Sequence, residues 1–362
     1  MIPLIKPFLP NPEKLMPRLQ EILYSGYIAE GEPVYEFERK LSEKLGTPYC
    51  LTVNSGTAAL HIALKLIGVK DGDEVISTAL TAEPTNVIIA LTGAKVVFAD
   101  VELDTGLISP ESIEKCITPN TKAIMVVHYA GMVCDMHKIN AISEKYKIPV
   151  VEDAAHAFMS KFNGKYIGSN SAYTCFSFQA IKHLTTVDGG LICLKTEEEY
   201  VRARKLRWFG LDKKVSRLLS NIEEPGFKYH MNNVNATIGL VQLECLEENV
   251  LKYIENGRYY DAHLAGISGV ELMRYHNDTE PSYWLYTIKV ERREEFIKML
   301  ENNGVAASPL HLRNDKHTVF KADGNNTPNL DIFYEQFVHI PCGWWLSKAD
   351  LDNIISLIKK GW

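Results

Sequence analysis

Short apolar runs alternate along this chain with stretches whose apolar residues recur at helical spacing. Val34, Phe37, Leu41 and Leu45 share one helix face, and Gly46 follows as a stop. Before them, Asn11 and Pro12 serve as cap and first residue of an earlier helix that Gly26 ends. Tyr49–Val53 predicts a strand, and Thr57–Ile67 a helix stopped at Gly68. Further strands are predicted at Glu74–Ser77, Lys95–Ala99, Ala123–Val127 and Ile148–Glu152. Helices between them start at Ser109-Pro110 and span Met136–Tyr146, and Tyr173–Phe178 and Leu191–Leu194 add two more strands. Alternation of this kind predicts βαβ units: an α/β fold whose mostly parallel sheet is covered on both faces.

The texture changes after Lys205. Asp212–Gly226 is polar and predicts an exposed loop, and one helix is predicted from about Asn233 to Asn256. Beyond it, a short strand (Trp284–Val290) mixes with helices (Arg293–Asn303, Lys348–Lys359). The expected organisation is a large α/β domain over 1–250 and a smaller α+β domain over 251–362. Composition excludes several classes. A net charge of −6 lacks the basic balance of a nucleic-acid binder. No apolar run approaches the ~18 residues of a membrane span, and Met1–Pro7 lacks a signal-peptide core. The seven cysteines are scattered without a C-x-x-C pair, which argues against zinc or a disulfide framework and fits a reducing cytosol. A cytoplasmic protein is expected, with no metal, membrane or nucleic-acid partner.

Three segments carry candidate chemistry. Lys182 follows the apolar and aromatic run Phe176-Ser177-Phe178-Gln179-Ala180-Ile181 and precedes Asp188-Gly189-Gly190. Dry surroundings lower a lysine pKa and free its amine to attack a carbonyl; a surface lysine in a turn is the plainer alternative. Upstream, Asp153 ends an apolar strand. A lysine and an aspartate at two strand ends suit pyridoxal phosphate (PLP): the lysine forms the Schiff base, and the aspartate keeps the pyridine nitrogen protonated. Asp153 could equally cap Ala154-Ala155-His156, and His156 could be a packed residue or contact the cofactor's phenolic oxygen or ring face. Ser55-Gly56-Thr57 lies between a strand and a helix, where backbone N–H groups suit a phosphate; it is also a good helix cap. Ser177 is near enough in sequence to add a hydroxyl. Phe227-Lys228-Tyr229-His230-Met231-Asn232-Asn233 is rich in phosphate-binding side chains or is a solvated helix start. Ser308–His317, with His311 and Arg313, is a candidate substrate segment or an exposed loop.

Asn54–Leu60, Glu152–Ala157, Phe176–Gly190 and Gly226–Leu243 resemble matching segments of the DegT/DnrJ/EryC1/StrS sugar aminotransferases. Gly31–Glu38 is similar to that family's entry segment. The resemblance runs in order over about residues 3 to 250 and is looser beyond. It implies the aspartate-aminotransferase-like PLP fold, type I, with a mostly parallel seven-stranded sheet and a smaller C-terminal α+β domain. It implies a homodimer with shared active sites, moving an amino group, usually from glutamate, onto a nucleotide-linked keto sugar for an amino-deoxy sugar of a surface polysaccharide or glycan. Lys182 would be the Schiff-base lysine and Asp153 the partner of the pyridine nitrogen. Ser177, Ser55, Gly56 and Thr57 would hold the phosphate, joined by Lys228 and His230 from the neighbouring subunit.

Some positions depart from the family's pattern. His156 stands where glutamine is common, His230 where asparagine or arginine is common, and Ala82 where many relatives stack phenylalanine on the cofactor ring. His183 follows Lys182, and a dehydratase branch has histidine in place of the lysine; here Lys182 keeps the register. Ser177–Lys182 resembles the pattern of enzymes acting at C4 of the sugar, so a 4-keto-6-deoxy sugar is expected, with His183, His311 and Arg313 as candidate substrate contacts. Two other readings compete. One is a PLP-dependent lyase, desulfurase or dehydratase; for a lyase or desulfurase, Cys342 is the nearest candidate acceptor cysteine. The other is a non-catalytic PLP or nucleotide-sugar sensor.

Overall fold

The computed structural model describes residues 1–213, 215–320 and 326–362, so residue 214 of the expected loop Asp212–Gly226 lies outside the described residues. The chain opens with α1 (Pro12–Tyr24) and α2 (Glu32–Leu45). Asn11 caps α1 as expected: its Oδ1 accepts from the Glu13 N–H at 2.9 Å. Gly46 ends α2 at φ 67°, a left-handed conformation that costs glycine little.

Strands and helices then alternate: β1 (Tyr49–Val53), α3 (Gly56–Ile67), β2 (Glu74–Thr78), α4 (Glu83–Leu91), β3 (Lys95–Ala99), α5 (Pro110–Cys116), β4 (Thr121–Val127), α6 (Met136–Tyr146) and β5 (Val150–Asp153). A small hairpin, β6 (Lys161–Phe162) and β7 (Lys165–Tyr166), leads to β8 (Tyr173–Ser177), β9 (Gly190–Leu194) and α7 (Glu197–Arg207). Seven of these strands form one sheet in the order β1-β9-β8-β5-β4-β2-β3. The pairs from β3 to β8 are parallel, and β9 runs antiparallel to both its neighbours. β1, β5 and β8 therefore point the same way, and their carboxyl ends share one edge with the start of β9. Ligands of open α/β sheets bind outside such an edge.

The rest of the described chain comprises α8 (Asn233–Leu243), α9 (Leu246–Leu264), β10 (Val270–Leu272), β11 (Thr279–Glu280), β12 (Tyr286–Val290), α10 (Arg293–Asn302), α11 (Pro328–Gln336), β13 (Phe337–Ile340) and α12 (Lys348–Lys360). β12 is the centre of a three-stranded antiparallel sheet with β10 and β13. The single helix expected from Asn233 to Asn256 is in fact α8 and α9, broken at Glu244-Cys245. The break falls where burial changes. Ala236–Gln242 of α8 are buried throughout, with Ile238 and Val241 against Leu15 of α1 and Gly239 against Phe37 of α2. α9 instead buries a stripe. Its Leu246 and Val250 join the core around the large sheet, while Tyr253, Tyr260 and Leu264 join a second core with β12, β13 and α12. Trp284 and Phe337, from beyond α9, pack back into the first core. Among the described residues no helix is long and apolar enough to cross a membrane.

Gly239 tests the packing of α8. Alanine is favoured over glycine in a helix by about 1 kcal/mol. A Cβ here would nevertheless lie 2.5 Å from Phe37 Cζ, and Phe37 is fully buried. Gly239→Ala is expected to lower stability by about 1–3 kcal/mol, read as a fall in Tm. A rise in Tm would contradict the packing.

Candidate active site

The carboxyl ends of β1, β5 and β8 surround a cavity of about 340 Å³. β1 leads through Asn54 into the N-terminus of α3. Ser55 caps that helix, its Oγ accepting from the Ala58 N–H at 3.1 Å, so the cap reading is met. Its hydroxyl hydrogen stays free, and Ser55, Gly56 and Thr57 all line the cavity with Ser177. Two glycines make this junction possible. A Cβ on Gly56 would lie 2.9 Å from Ser177 Cβ, and one on Gly190 would lie 2.4 Å from the Ser55 carbonyl oxygen. Only glycine lets α3 begin this close to the ends of β8 and β9. The result is a helix N-terminus with free backbone donors and hydroxyls, suited to a phosphate.

Asp153 ends β5 and is buried. Its Oδ2 accepts from the Thr85 hydroxyl at 2.7 Å and its Oδ1 from the Ala155 N–H at 3.1 Å. Burial pushes its carboxyl above the usual range, while those two hydrogen bonds and the Lys182 charge pull it back. Glu152 points to the other face of the sheet. There its Oε2 meets His128 Nε2 at 2.6 Å, with both side chains closed to solvent.

Lys182 stands in the turn after β8, its N–H bonded to the Gln179 carbonyl at 3.0 Å. Burial lowers its pKa to about 7, against the opposing charge of Asp153. Near neutral pH much of its amine is thus unprotonated and nucleophilic. Trp284, ahead of β12, holds this turn. Its indole N–H donates to the Ile181 carbonyl at 2.8 Å, and its ring lies 4.0 Å from Lys182 Nζ. The other aromatic contact of Trp284 is His156, stacked at 3.9 Å and 21°. His156 Nδ1 accepts from the Ala130 N–H at 3.3 Å, so the neutral ring carries its proton on Nε2. Burial first, then the Lys182 charge, keeps that ring neutral. His156 also lines the cavity, so it is both packed and available.

The remaining expected site residues lie elsewhere. Lys228 and His230 do not line this cavity. Residue 228 pairs with Trp208 and residue 230 with Val53 as isolated bridges, and the His230 ring packs edge-on against Trp208 at 4.3 Å. Burial takes His230 down to about 4, so it is neutral at neutral pH. His183 turns away, against Tyr253 at 4.6 Å, and burial lowers it to about 3. His311 sits nearer, its ring parallel to His156 with centroids 6.5 Å apart and its Nδ1 3.7 Å from Glu83. Arg313 faces inward. It donates to both oxygens of Asp315, to Thr327 and to Asp331, and it is absent from the cavity wall. The segment expected to offer Arg313 to a substrate instead uses it to hold itself together.

A larger recess of about 590 Å³, lined by Glu30, Glu38, Arg207 and Lys213, lies apart from these groups. Its charges answer one another: Arg207 meets Glu30 at 2.8 Å and Glu38 at 2.6 Å, and Lys213 meets Glu30 at 2.8 Å. No cluster of three or more metal-ligating side chains occurs among the described residues. Sequence reasoning missed Thr85 and Trp284. A threonine at the start of one helix and a tryptophan at the start of a strand carry no chemical signature until the fold sets them beside Asp153 and Lys182.

The chain is similar to known proteins over most of its length. The model of the DegT/DnrJ/EryC1/StrS aminotransferase family matches residues 11–359. The spore coat polysaccharide biosynthesis protein SpsC of Bacillus subtilis (strain 168) is 33% identical over 357 residues, covering 94% of this chain and 92% of that protein. Among solved structures, AtS13 from Actinomadura melliaura superposes with a TM-score of 0.97 at 37% identity, covering 100% of this chain and 99% of that one. The sugar aminotransferase CalS13 from Micromonospora echinospora superposes with a TM-score of 0.96 at 34% identity, over 100% of both chains.

Proposed function

The chain belongs to the DegT/DnrJ/EryC1/StrS aminotransferase family and is a PLP-dependent sugar aminotransferase, and from that premise we propose that it transfers the amino group of L-glutamate to a nucleotide-linked 4-keto-6-deoxy sugar. The observation that carries the reading is Lys182, half-buried and under the charge of Asp153 at a cavity that opens on the N-terminus of α3. These residues fit the cofactor. The cradle that Gly56 and Gly190 keep open would take its phosphate, Asp153 would face the pyridine nitrogen, and Lys182 would hold its carbonyl carbon. His156 Nε2–H is the donor available to the phenolic oxygen, since Trp284 already occupies one face of the imidazole.

When bound, PLP supplies an electron sink for the bonds at the donor's Cα. The chain's residues do the rest. The Asp153 carboxylate holds a proton on the pyridine nitrogen. Lys182 Nζ moves the proton at the donor's Cα, and a pKa of about 7 lets it act as base and then as acid. Trp284 keeps that amine in place through the Ile181 carbonyl. The sugar's C4 position rests on Ser177-Phe178-Gln179-Ala180-Ile181-Lys182, which is similar to the pattern of enzymes acting there. The polysaccharide role rests on the likeness to SpsC.

The partner we infer is a second copy of this chain. Leu218 is 94% exposed and Leu219 82%, just before the Phe227–Asn233 segment, and Tyr24 and Tyr27 are bared at the end of α1. We read this exposed apolar surface as the face a second copy covers. Lys228, which makes no ion pair among the described residues, and His230 would close the phosphate site of the partner. Each C2 dimer would carry two such crossings.

Incubation with L-glutamate is expected to release 2-oxoglutarate, and Lys182→Ala to release none. Mass spectrometry should then show an amino sugar formed from one of the UDP-, GDP- or dTDP-linked 4-keto-6-deoxy sugars. A dehydrated sugar, or no 2-oxoglutarate, would contradict transamination. Sharing of sites is read by mixing two inactive proteins, Lys182→Ala and a Lys228→Ala/His230→Ala double variant. In their heterodimer one site carries both lesions and the other neither, so activity should return. No recovery after verified subunit exchange would show that each site belongs to one chain.

A further inference from the structure

We propose that Thr81 and Thr85 form a two-hydroxyl relay that orients Asp153 and steadies its charge, which makes both threonines positioning residues of the reaction; this rests on the cofactor role given above to Asp153. The donor count sets the direction of the relay. An ionised carboxylate only accepts hydrogen bonds, and a hydroxyl has one hydrogen to give. At 2.7 Å from Asp153 Oδ2, the Thr85 hydroxyl gives its hydrogen to the carboxylate. The 2.9 Å contact between the Thr81 and Thr85 hydroxyl oxygens must then be supplied by the hydrogen of Thr81. The relay runs from Thr81 to Thr85 to Asp153, and successive donors polarise one another in a dry setting.

The setting is dry and fixed. Thr81 is 1% exposed and Thr85 2% exposed, yet both reach the cavity wall. Thr85 lies in the first turn of α4 and Thr81 immediately precedes the Ala82 cap, so the chain entering the helix brings the two hydroxyls together. The start of the relay is tied down by Asn314. Its side-chain amide donates to the Thr81 carbonyl at 2.9 Å, its own N–H reaches the Ala79 carbonyl at 2.8 Å, and Asn86 donates to its oxygen at 2.8 Å. Thr85 is also the largest of the forces that counter the effect of burial on Asp153. The other groups facing Asp153 are Lys182 from the turn after β8 and His128 after β4, both favouring the charged form, and the buried Cys175 thiol opposite it on β8.

The test uses Thr85→Val, which is nearly isosteric, with Thr85→Ser as the rescue. Asp153 is titrated in the cofactor-free full-length protein through its carbonyl stretch by difference infrared spectroscopy, the band being assigned by its loss in Asp153→Asn. Removing a donor from the carboxylate favours protonation. In Thr85→Val the midpoint should therefore move up by about one pH unit. In the holoenzyme the glutamate half-reaction should slow roughly 10- to 100-fold with little change in KM, and its acid limb should move up with the midpoint. Serine should restore both, and Thr81→Val should shift the midpoint the same way but less. Thr81→Val also keeps the test open if Thr85→Val does not fold. An unmoved midpoint in either valine variant would overturn the relay. A moved midpoint with undiminished turnover would uphold the relay and contradict the cofactor role of Asp153.

Discussion

The site depends on one opposition, the half-buried Lys182 amine set against the charge of the buried Asp153 carboxylate at one cavity wall. Burial acts on both groups in the neutral direction, lowering the lysine and raising the aspartate. Their mutual attraction works the other way. Neither force wins outright, and the lysine is left titrating at about 7. A solvated lysine would stay protonated near neutrality, and a fully isolated buried one would hardly protonate at all. Chemistry that asks one amine to take a proton and return it needs the value between.

The fold serves this opposition through backbone contacts more than through bulk. Asp153 and Ser177 arrive at one edge because β5 and β8 are parallel neighbours with Asp153 opposite Cys175. Gly56 and Gly190 let α3 and β9 crowd against the ends of β8 and β1. The phosphate cradle is thereby held at the same edge as the reactive pair. Trp284 binds the later part of the chain to the same point, by one hydrogen bond to Ile181 and two ring contacts. Losing its indole would loosen Lys182 and His156 together, since one plate supports both.

Much of this was legible in the residues and some was not, for physical reasons. Short apolar runs and helical patterning located β1, β3, α2 and α6 closely, because each buries one face against the sheet or is itself covered on both. Lys182, Asp153 and Ser55–Thr57 stood out because strand ends carry their polar side chains into a crevice. The α8–α9 junction did not, because Glu244-Cys245 contains neither glycine nor proline and the break follows a change of burial partner. Arg313 looked like a free cation in sequence, but Asp315 and Asp331 absorb it in space. Thr85 and Trp284 were invisible for the opposite reason: ordinary residues gain a role only from contacts made across 68 and 103 positions of chain.

The most direct measurement is the titration of Lys182 itself. In the cofactor-free protein, the rate of modification of Lys182 by an amine-specific reagent is followed against pH by peptide mapping. The midpoint should lie at about 7. It should move lower in Asp153→Asn, since the lost negative charge had favoured the ammonium. A midpoint near the ordinary lysine value of about 10.4, or one indifferent to Asp153, would contradict the account.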